Sequence, residues 1–341
     1  MSAVIGWDIG GAHLKAARAE NGRIVDAVQV ASPLRHGLDR LAAAFGEAKA
    51  VIGSAPHNVV TMTGELADTF ASRSEGVAAL TDMARAQLVD GVLLYAGPAG
   101  FITPDQAVHR VADIASANWH ASAALVAKRQ ATALFVDMGS TTTDIIPVVD
   151  HMVAAHGYTD AERLAAGELV YAGVVRSFVM ATAARAPFDG RWTTLINENF
   201  ANMADVNRIL DALPDGADQM PTADGREKTL AASSARLARM VGRDAGDADD
   251  WQWLELARWL AEAQMRAIVD GAMLVLSRAK LDAAAPVVGA GIGVAVIVEL
   301  ARRLGRAYLP FDGLLDAAPA VRTRASQCAP AAALAVLASH P

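Results

Sequence analysis

Short apolar runs alternate with stretches of helical spacing along the first part of the chain. Runs bounded by turn residues predict strands, and apolar residues that recur every three or four positions predict helices. The predicted strands are 4–8, 23–30, 51–53, 59–63 and 92–95, and the predicted helices are 38–48, 65–71, 76–86 and 113–128. This alternation predicts a mostly parallel sheet covered by helices.

The second part of the chain repeats this pattern around a polar interruption. The predicted strands are 133–137, 145–149 and 286–289, and the predicted helices are 251–280, 294–304 and 325–338. The interval 214–226 is rich in Gly and Asp, which predicts turns and short helices rather than a core element. We therefore expect an insertion around 185–250.

One sequence motif occurs twice in the chain. A buried strand ends in Asp-x-Gly followed by a small residue at Asp8 and again at Asp137, 129 positions later. Together with the length of 341 residues, this repetition predicts two related domains, 1–128 and 129–341.

Composition excludes several classes of protein. The net charge of −7 argues against nucleic-acid binding, and the single Cys328 excludes a disulfide framework. No pair of histidines has the spacing of a zinc site. The uncharged run 283–298 is too short for a membrane span and contains Pro286. We expect a cytoplasmic protein without a membrane or nucleic-acid partner, and a homo-oligomer stays open.

The first glycine-rich turn spans Asp8 to Lys15. Gly10 and Gly11 permit positive φ and let backbone N–H groups approach an oxyanion. Asp8 would hold Mg²⁺ or its waters, and Lys15 would pair with phosphate oxygens. His13 is a candidate acid or base. An ordinary tight hairpin with a solvent-facing lysine is the alternative.

The second turn spans Asp137 to Asp144, and these two carboxylates suit a divalent ion. Its remaining candidates are donors to phosphate: Gly139, Ser140, Thr141 and Thr142. A strand with solvated hydroxyls is the alternative. Because the two turns hold equivalent positions in duplicated halves, we expect them to face each other across a cleft and share a phosphate site.

A third glycine-rich turn follows the strand 286–289. A predicted helix begins directly after three glycines, Gly289, Gly291 and Gly293. The N–H groups at the start of such a helix are suited to bind an anion or the edge of a nucleotide. The turn lacks the dinucleotide-binding fingerprint because Val294 stands where the last glycine is needed. Close packing of strand on helix is the alternative.

These three turns resemble the phosphate and adenosine motifs of the superfamily of acetate and sugar kinases, heat-shock ATPases and actin, over the whole chain. The resemblance implies an α/β fold of duplicated ribonuclease H-like (actin-like ATPase superfamily) domains with an interdomain cleft. It implies ATP as a candidate ligand. Such motifs specify a fold better than a reaction.

A narrower resemblance rests on the segments 7–15, 61–68, 117–121 and 137–144. They are similar to hydantoinase A and oxoprolinase-related proteins of tetrahydromethanopterin-linked one-carbon transfer, and within that group to the synthases of methanofuran biosynthesis. The resemblance implies condensation of a furanylmethyl diphosphate with the phenol of a γ-glutamyl tyramine, or of a tyrosine derivative, with release of pyrophosphate. It implies Mg²⁺ without a requirement for nucleotide.

The resemblance also implies roles for individual residues. Asp8 and Asp137 would hold Mg²⁺, Lys15 would assist the leaving group, and His13 or Asp144 would take the phenol proton. Four further residues would line the cleft: Glu65, Asp68, Asn118 and Trp119. Trp119 would offer a π face to the substrate or, in the interpretation that we favour, belong to the core.

Other functions stay open from the sequence alone. The superfamily motifs equally permit an ATP-dependent small-molecule kinase or a hydantoin or oxoproline hydrolase. The compact chain argues against the hydrolase. The third alternative is a non-catalytic nucleotide-binding regulator, and no helix-turn-helix or basic patch indicates contact with DNA.

Overall fold

A computed structural model describes residues 3–88 and 91–339. Its first half is built on a six-stranded sheet of order β3-β2-β1-β4-β5-β6. The strands are β1 (Ala3–Ile9), β2 (His13–Glu20), β3 (Arg23–Ala31), β4 (His57–Met62), β5 (Val92–Tyr95) and β6 (Phe101–Ile102). The helices are α1 (Leu38–Ile52), α2 (Arg73–Gln87), α3 (Val111–Ile114) and α4 (Asn118–Arg129).

The second half has a sheet of order β10-β8-β7-β13-β14, with β9 paired to β8. The strands are β7 (Ala133–Met138), β8 (Thr143–Val149), β9 (Met152–Val153), β10 (Leu169–Val170), β11 (Arg185–Phe188), β12 (Arg191–Thr194), β13 (Val287–Gly291) and β14 (Tyr308–Pro310). The helices are α5 (Asp160–Ala166), α6 (Val179–Thr182), α7 (Met203–Ile209), α8 (Leu230–Met240), α9 (Asp250–Arg278), α10 (Val294–Arg303), α11 (Arg322–Gln327) and α12 (Ala329–Ser339).

The two sheets share one topology. In each sheet the second strand runs antiparallel to the first, and the next two strands of the path run parallel to it. This is the strand order of a ribonuclease H-like domain, so the predicted α/β fold of duplicated ribonuclease H-like domains is confirmed. The domain boundaries at 128 and 129 stay a prediction.

The predicted insertion forms a separate hydrophobic core and lies between β10 and β13 in the chain. The hairpin of β11 and β12 packs with α7, α8 and the first turns of α9 around Trp253 and Phe188, whose rings stack 4.9 Å apart. None of the helices within residues 3–88 and 91–339 is long and apolar enough to cross a membrane.

The last helix returns to the first sheet. α12 lies on β1 and β2 and also packs against α4, which itself covers β7 and β8 of the second sheet. α12 is apolar on all sides and almost wholly buried, which is typical of a helix inside a core. The halves therefore share one continuous core.

We expect the change Gly6→Ala to destabilise this shared core by about 3 kcal/mol, because overpacking against backbone leaves nothing that can move aside. A Cβ at Gly6 would collide with the carbonyl oxygen of Ala331 in α12. Urea denaturation measures the change in the free energy of unfolding. Gly46→Ala is the matched control: that exposed glycine in α1 has open space around it, so alanine there stabilises the helix by about 0.5–1 kcal/mol. Equal effects at the two positions would contradict the packing of α12.

Four predicted elements were wrong in extent. The residues predicted as a strand at 51–53 end α1, where Gly53 takes φ of +70°, and 65–71 contains only a 3₁₀ turn, Gly64–Leu66. The predicted helix 113–128 is divided between α3 and α4 because Ser116 has a positive φ of 53°. The predicted helix 325–338 is divided at Cys328 into α11 and α12.

Candidate functional site

Two β-hairpins of equal length carry the paired motifs. Between β1 and β2, Asp8 lies opposite Lys15, and between β7 and β8, Asp137 lies opposite Asp144. The hairpins therefore match residue for residue, with one change of sign: a lysine in the first half stands where the second half has an aspartate.

The two turns are closed in the same way. Gly10 N donates to His13 O, and Gly139 N donates to Thr142 O, both at 2.9 Å. A Cβ at Gly10 would come within 3.0 Å of the His13 carbonyl oxygen, so this tight turn favours glycine. The two turns therefore have the same hydrogen-bond pattern, as expected of duplicated halves.

The hairpins bring four charged groups into one cluster. Lys15 interacts electrostatically with Asp8, Asp137 and Asp144, although the last two come from the other half. Asp8 and Asp137 are buried, at 3% and 7% exposed. Within residues 3–88 and 91–339 the Lys15 ammonium forms no ion pair or hydrogen bond. The charges are near one another without direct pairing, an arrangement that a charged ligand between them would complete.

Burial dominates the protonation of the cluster. It raises the pKa of Asp8 and of Asp144, and it raises the pKa of Asp137 to about 7. Lys15 opposes the rise at Asp8 and Asp137. Although burial lowers the pKa of Lys15, the three carboxylates outweigh it and hold that pKa above its ordinary value.

Asp8 and Asp137 suit a magnesium ion that shares its ligands with a phosphate. Asp8 Oδ1 is buried without a hydrogen-bond partner, and the Asn118 side chain, at the start of α4, lies near enough to oppose the rise in the pKa of this carboxyl. No group of three ligating side chains occurs in the part of the chain that the structure describes. Mg²⁺ commonly takes one or two carboxylates and fills its other positions with waters and substrate phosphates, so the two aspartates fit it.

His13 is a buried, neutral imidazole. Its side chain is enclosed in the first turn, and Nε2 has no hydrogen-bond partner. Burial, Lys15 and Arg176 lower its pKa to about 4. The ring is therefore uncharged near pH 7 and has a nitrogen free for a ligand.

The third glycine turn supports Asp137. Gly291 has φ of +86°, and a Cβ there would collide with the Asp137 carboxylate. Gly293 N donates to Met138 O at 3.0 Å and precedes α10, whereas Gly289 lies against the ring of Tyr308. Gly291 and Gly293 thus lie at the site, and an adenosine-binding role for this turn stays a prediction.

Asp144 is held by a buried arginine that sequence reasoning missed. Arg163 of α5 forms an ion pair with Asp144, and its guanidinium lies 4.4 Å from the centroid of the Trp119 ring. Trp119 is 1% exposed and belongs to the shared core. A contact of Trp119 with substrate stays a prediction.

Glu65 joins the two halves beside this arginine. Ser116 Oγ lies 2.9 Å from Glu65 Oε1 and 3.1 Å from Asp160 Oδ2 of the second half. Burial raises the pKa of Glu65 to about 7. Asp68, by contrast, is exposed and forms no hydrogen bond or ion pair within the described residues.

A segment that the sequence reasoning overlooked packs on the second turn. A Cβ at Gly173 would collide with the backbone of Thr141. Arg176 N donates to Ser140 O at 2.7 Å, and Arg176 Nη1 lies 3.5 Å from Thr141 Oγ1. The signal available in the sequence was a glycine within an apolar run that ends in an arginine.

Comparisons with known proteins agree with the resemblance seen in the motifs. The family model Hydantoinase/oxoprolinase matches residues 57–310. The (4-{4-[2-(gamma-L-glutamylamino)ethyl]phenoxymethyl}furan-2-yl)methanamine synthase of Methanocaldococcus jannaschii is 30% identical over 297 residues, which cover 87% of this chain and 88% of that protein. The synthase of the same name from Methanococcus vannielii is 36% identical over 33% of this chain and 50% of its own.

Solved structures are more distant. Component A of the (R)-2-hydroxyglutaryl-CoA dehydratase of Acidaminococcus fermentans aligns over 99% of this chain and 97% of its own, with 14% identity and a TM-score of 0.48. The family model spans most of the chain, and the archaeal synthase is aligned along nearly its whole length. The chain belongs to the hydantoinase/oxoprolinase family.

Proposed function

We propose that this protein is a transferase that condenses a furanylmethyl diphosphate with the phenol of a γ-glutamyl tyramine or of a tyrosine derivative and releases pyrophosphate. The observation that carries the proposal is the 30% identity over 87% of the chain with a synthase whose name describes a phenoxymethyl furan product. A phenoxymethyl group contains the ether bond that such a condensation forms. The reaction would serve methanofuran or methylofuran biosynthesis in one-carbon metabolism, in the cytoplasm.

The chemistry sets three requirements for the site. The bond between the furanyl methylene and the diphosphate oxygen breaks, and its electron pair leaves with the diphosphate. The phenol oxygen bonds to the methylene and loses its proton. Since the furan ring stabilises the developing cation, the protein mainly has to hold the leaving group, place the phenol and accept one proton.

The charge cluster supports the first requirement. Lys15 would add fixed positive charge where negative charge develops on the leaving diphosphate, and the backbone N–H groups of the two turns would bind its oxygens. Asp8 and Asp137 would hold Mg²⁺, which supplies neutralisation of the diphosphate charge. The reaction would not require ATP, which stays a candidate ligand of the fold.

His13 is our candidate for the proton acceptor, because its Nε2 is unpartnered while Asp144 is engaged by Arg163. The phenol has a reference pKa of about 10, so a histidine with a pKa of about 4 is a weak acceptor. Lys15 and Arg176 contribute to that low value. A bound diphosphate that neutralises these cations would raise the pKa of His13 and improve it as a base.

The test is a reaction without nucleotide. Purified protein is incubated with a furanylmethyl diphosphate, γ-glutamyl tyramine and Mg²⁺, and we expect stoichiometric release of pyrophosphate and formation of the ether, measured by phosphate assay and mass spectrometry. A tyrosine derivative in a parallel reaction identifies the acceptor. Asp8→Asn is the inactive control. Turnover of ATP that depends on a different small molecule, with no ether formed, would replace the proposal by a kinase.

A further inference from the structure

An arginine is fixed at the tip of each hairpin. In the first half, Leu34 N donates to Gly11 O at 3.1 Å, and Arg35 follows directly. In the second half, Arg176 N donates to Ser140 O at 2.7 Å. Gly11 and Ser140 are equivalent positions of the duplication, 129 residues apart. The equivalent carbonyl groups of the two turns therefore hold the residue before Arg35 in the first half and Arg176 itself in the second.

These arginines lie close together without an acidic partner. Arg35 Nε contacts only His36 Nε2 at 3.2 Å, and Arg176 Nη1 contacts only Thr141 Oγ1 at 3.5 Å, among the contacts of residues 3–88 and 91–339. Besides burial, the charge of Arg35 lowers the pKa of Arg176, so the two guanidinium groups repel each other.

Other arginines of the second half behave differently. Arg163, Arg208 and Arg236 are largely buried, and each forms an ion pair with at least one aspartate. Facing cations without a counter-ion are unfavourable unless an anion lies between them. Arg176 also acts on His13 of the opposite turn, which places it beside both hairpins of the proposed phosphate site.

We propose that Arg35 and Arg176 clamp the diphosphate group from opposite sides of the cleft; this rests on the proposed function for the identity of the substrate. A guanidinium binds two phosphate oxygens at once through a planar pair of N–H donors. Two such groups would bring positive charge to the oxygens of a diphosphate from two directions.

Binding of inorganic pyrophosphate tests the clamp without requiring turnover. We expect Arg176→Ala and Arg35→Ala each to weaken pyrophosphate binding in the presence of Mg²⁺ by about 10- to 100-fold, measured by calorimetry on the full chain. Lysine at either position should recover only part of this loss, because an ammonium lacks the planar fork. Arg40→Ala is the matched control: that exposed arginine in α1 forms no side-chain pair among the described residues, so binding should stay unchanged.

A second readout separates a binding role from a structural one. Because Arg35 and Arg176 repel each other, Arg35→Ala should leave the melting temperature of the free protein unchanged or higher, while the increase that pyrophosphate produces becomes smaller. Folded variants that bind pyrophosphate like the wild type would overturn the clamp. If the clamp variants lose pyrophosphate binding but the wild type forms no ether, the proposed function fails and the anion site stands.

Discussion

Asp137→Asn removes the transferase activity and makes the protein more stable above pH 7. The carboxylate would be a ligand of Mg²⁺, and its loss should lower kcat by at least about 10²-fold, the scale seen when one preorganised electrostatic group is deleted. Stability should change in the opposite direction, since burial raises the pKa of this carboxyl from 3.8 to about 7.

The direction of the change in stability with pH follows from the pKa values of the folded and unfolded states. The folded state favours the protonated carboxyl, so its stabilising contribution is complete below the unfolded pKa of 3.8 and is lost as the pH rises through about 7. Asparagine resembles the protonated form at every pH. The variant should therefore match the wild type near pH 4 and exceed it by about 4 kcal/mol at pH 8.

Urea denaturation at a series of pH values measures this difference. Asp270→Asn is the control, because that aspartate is exposed on α9 and, among residues 3–88 and 91–339, pairs only with Arg266 across one helical turn. Its removal should change neither kcat nor the pH dependence appreciably. The difference in unfolding free energy between Asp137→Asn and the wild type should grow from pH 5 to pH 8. A difference that instead turns against the variant at pH 8 would mean that Asp137 belongs to a structural ion pair.

The hairpins could be predicted because their signals are local. A buried strand, an aspartate and a glycine-bent turn are adjacent in sequence, and their recurrence after 129 positions specifies the duplication. The equal lengths of the two turns also predict which residues lie opposite each other. Consequently, once the halves are known to be related, the fold predicts that Asp8, Lys15 and Asp137 lie near one another.

The partners of these residues could not be predicted in the same way. Asn118 reaches Asp8 because Ser116, with positive φ, breaks what its alanine-rich surroundings predict as one continuous helix. Arg163 looks like a solvated residue of a short helix, and its partner Asp144 lies 19 positions earlier. Contacts between distant residues have no periodic signature.

The place of α12 is a similar case. Its residues are apolar on every side, which predicts burial but gives no face by which to choose a neighbour. Because Gly6 has no Cβ, α12 can pack closely on the first sheet. A glycine in a strand, however, is equally typical of a bulge. The arginines at the hairpin tips were missed because nothing in an exposed loop distinguishes a ligand-binding arginine from a solvated one.

Lys15→Gln should lower kcat by about 10²–10³-fold and shift the acidic limb of the pH–rate profile to higher pH. Lys15 lowers the pKa of Asp8, Asp137 and Asp144, and its own pKa lies above the ordinary value. Its charge therefore persists through neutral pH and opposes the rise that burial causes in the pKa of these carboxyls. Without it, all three pKa values rise, and a larger fraction of the site is protonated and unable to bind a metal at pH 7.

Lys15→Arg distinguishes charge from geometry in the same measurement. Arginine keeps the positive charge, so the acidic limb should return toward its wild-type position, while kcat stays reduced because the larger guanidinium does not reproduce the position of the ammonium. The profile is recorded as kcat/KM between pH 5 and pH 9, at about saturating Mg²⁺. An acidic limb that stays in place in Lys15→Gln would show that the lysine acts only on the substrate and leaves the protonation of the aspartates to burial alone.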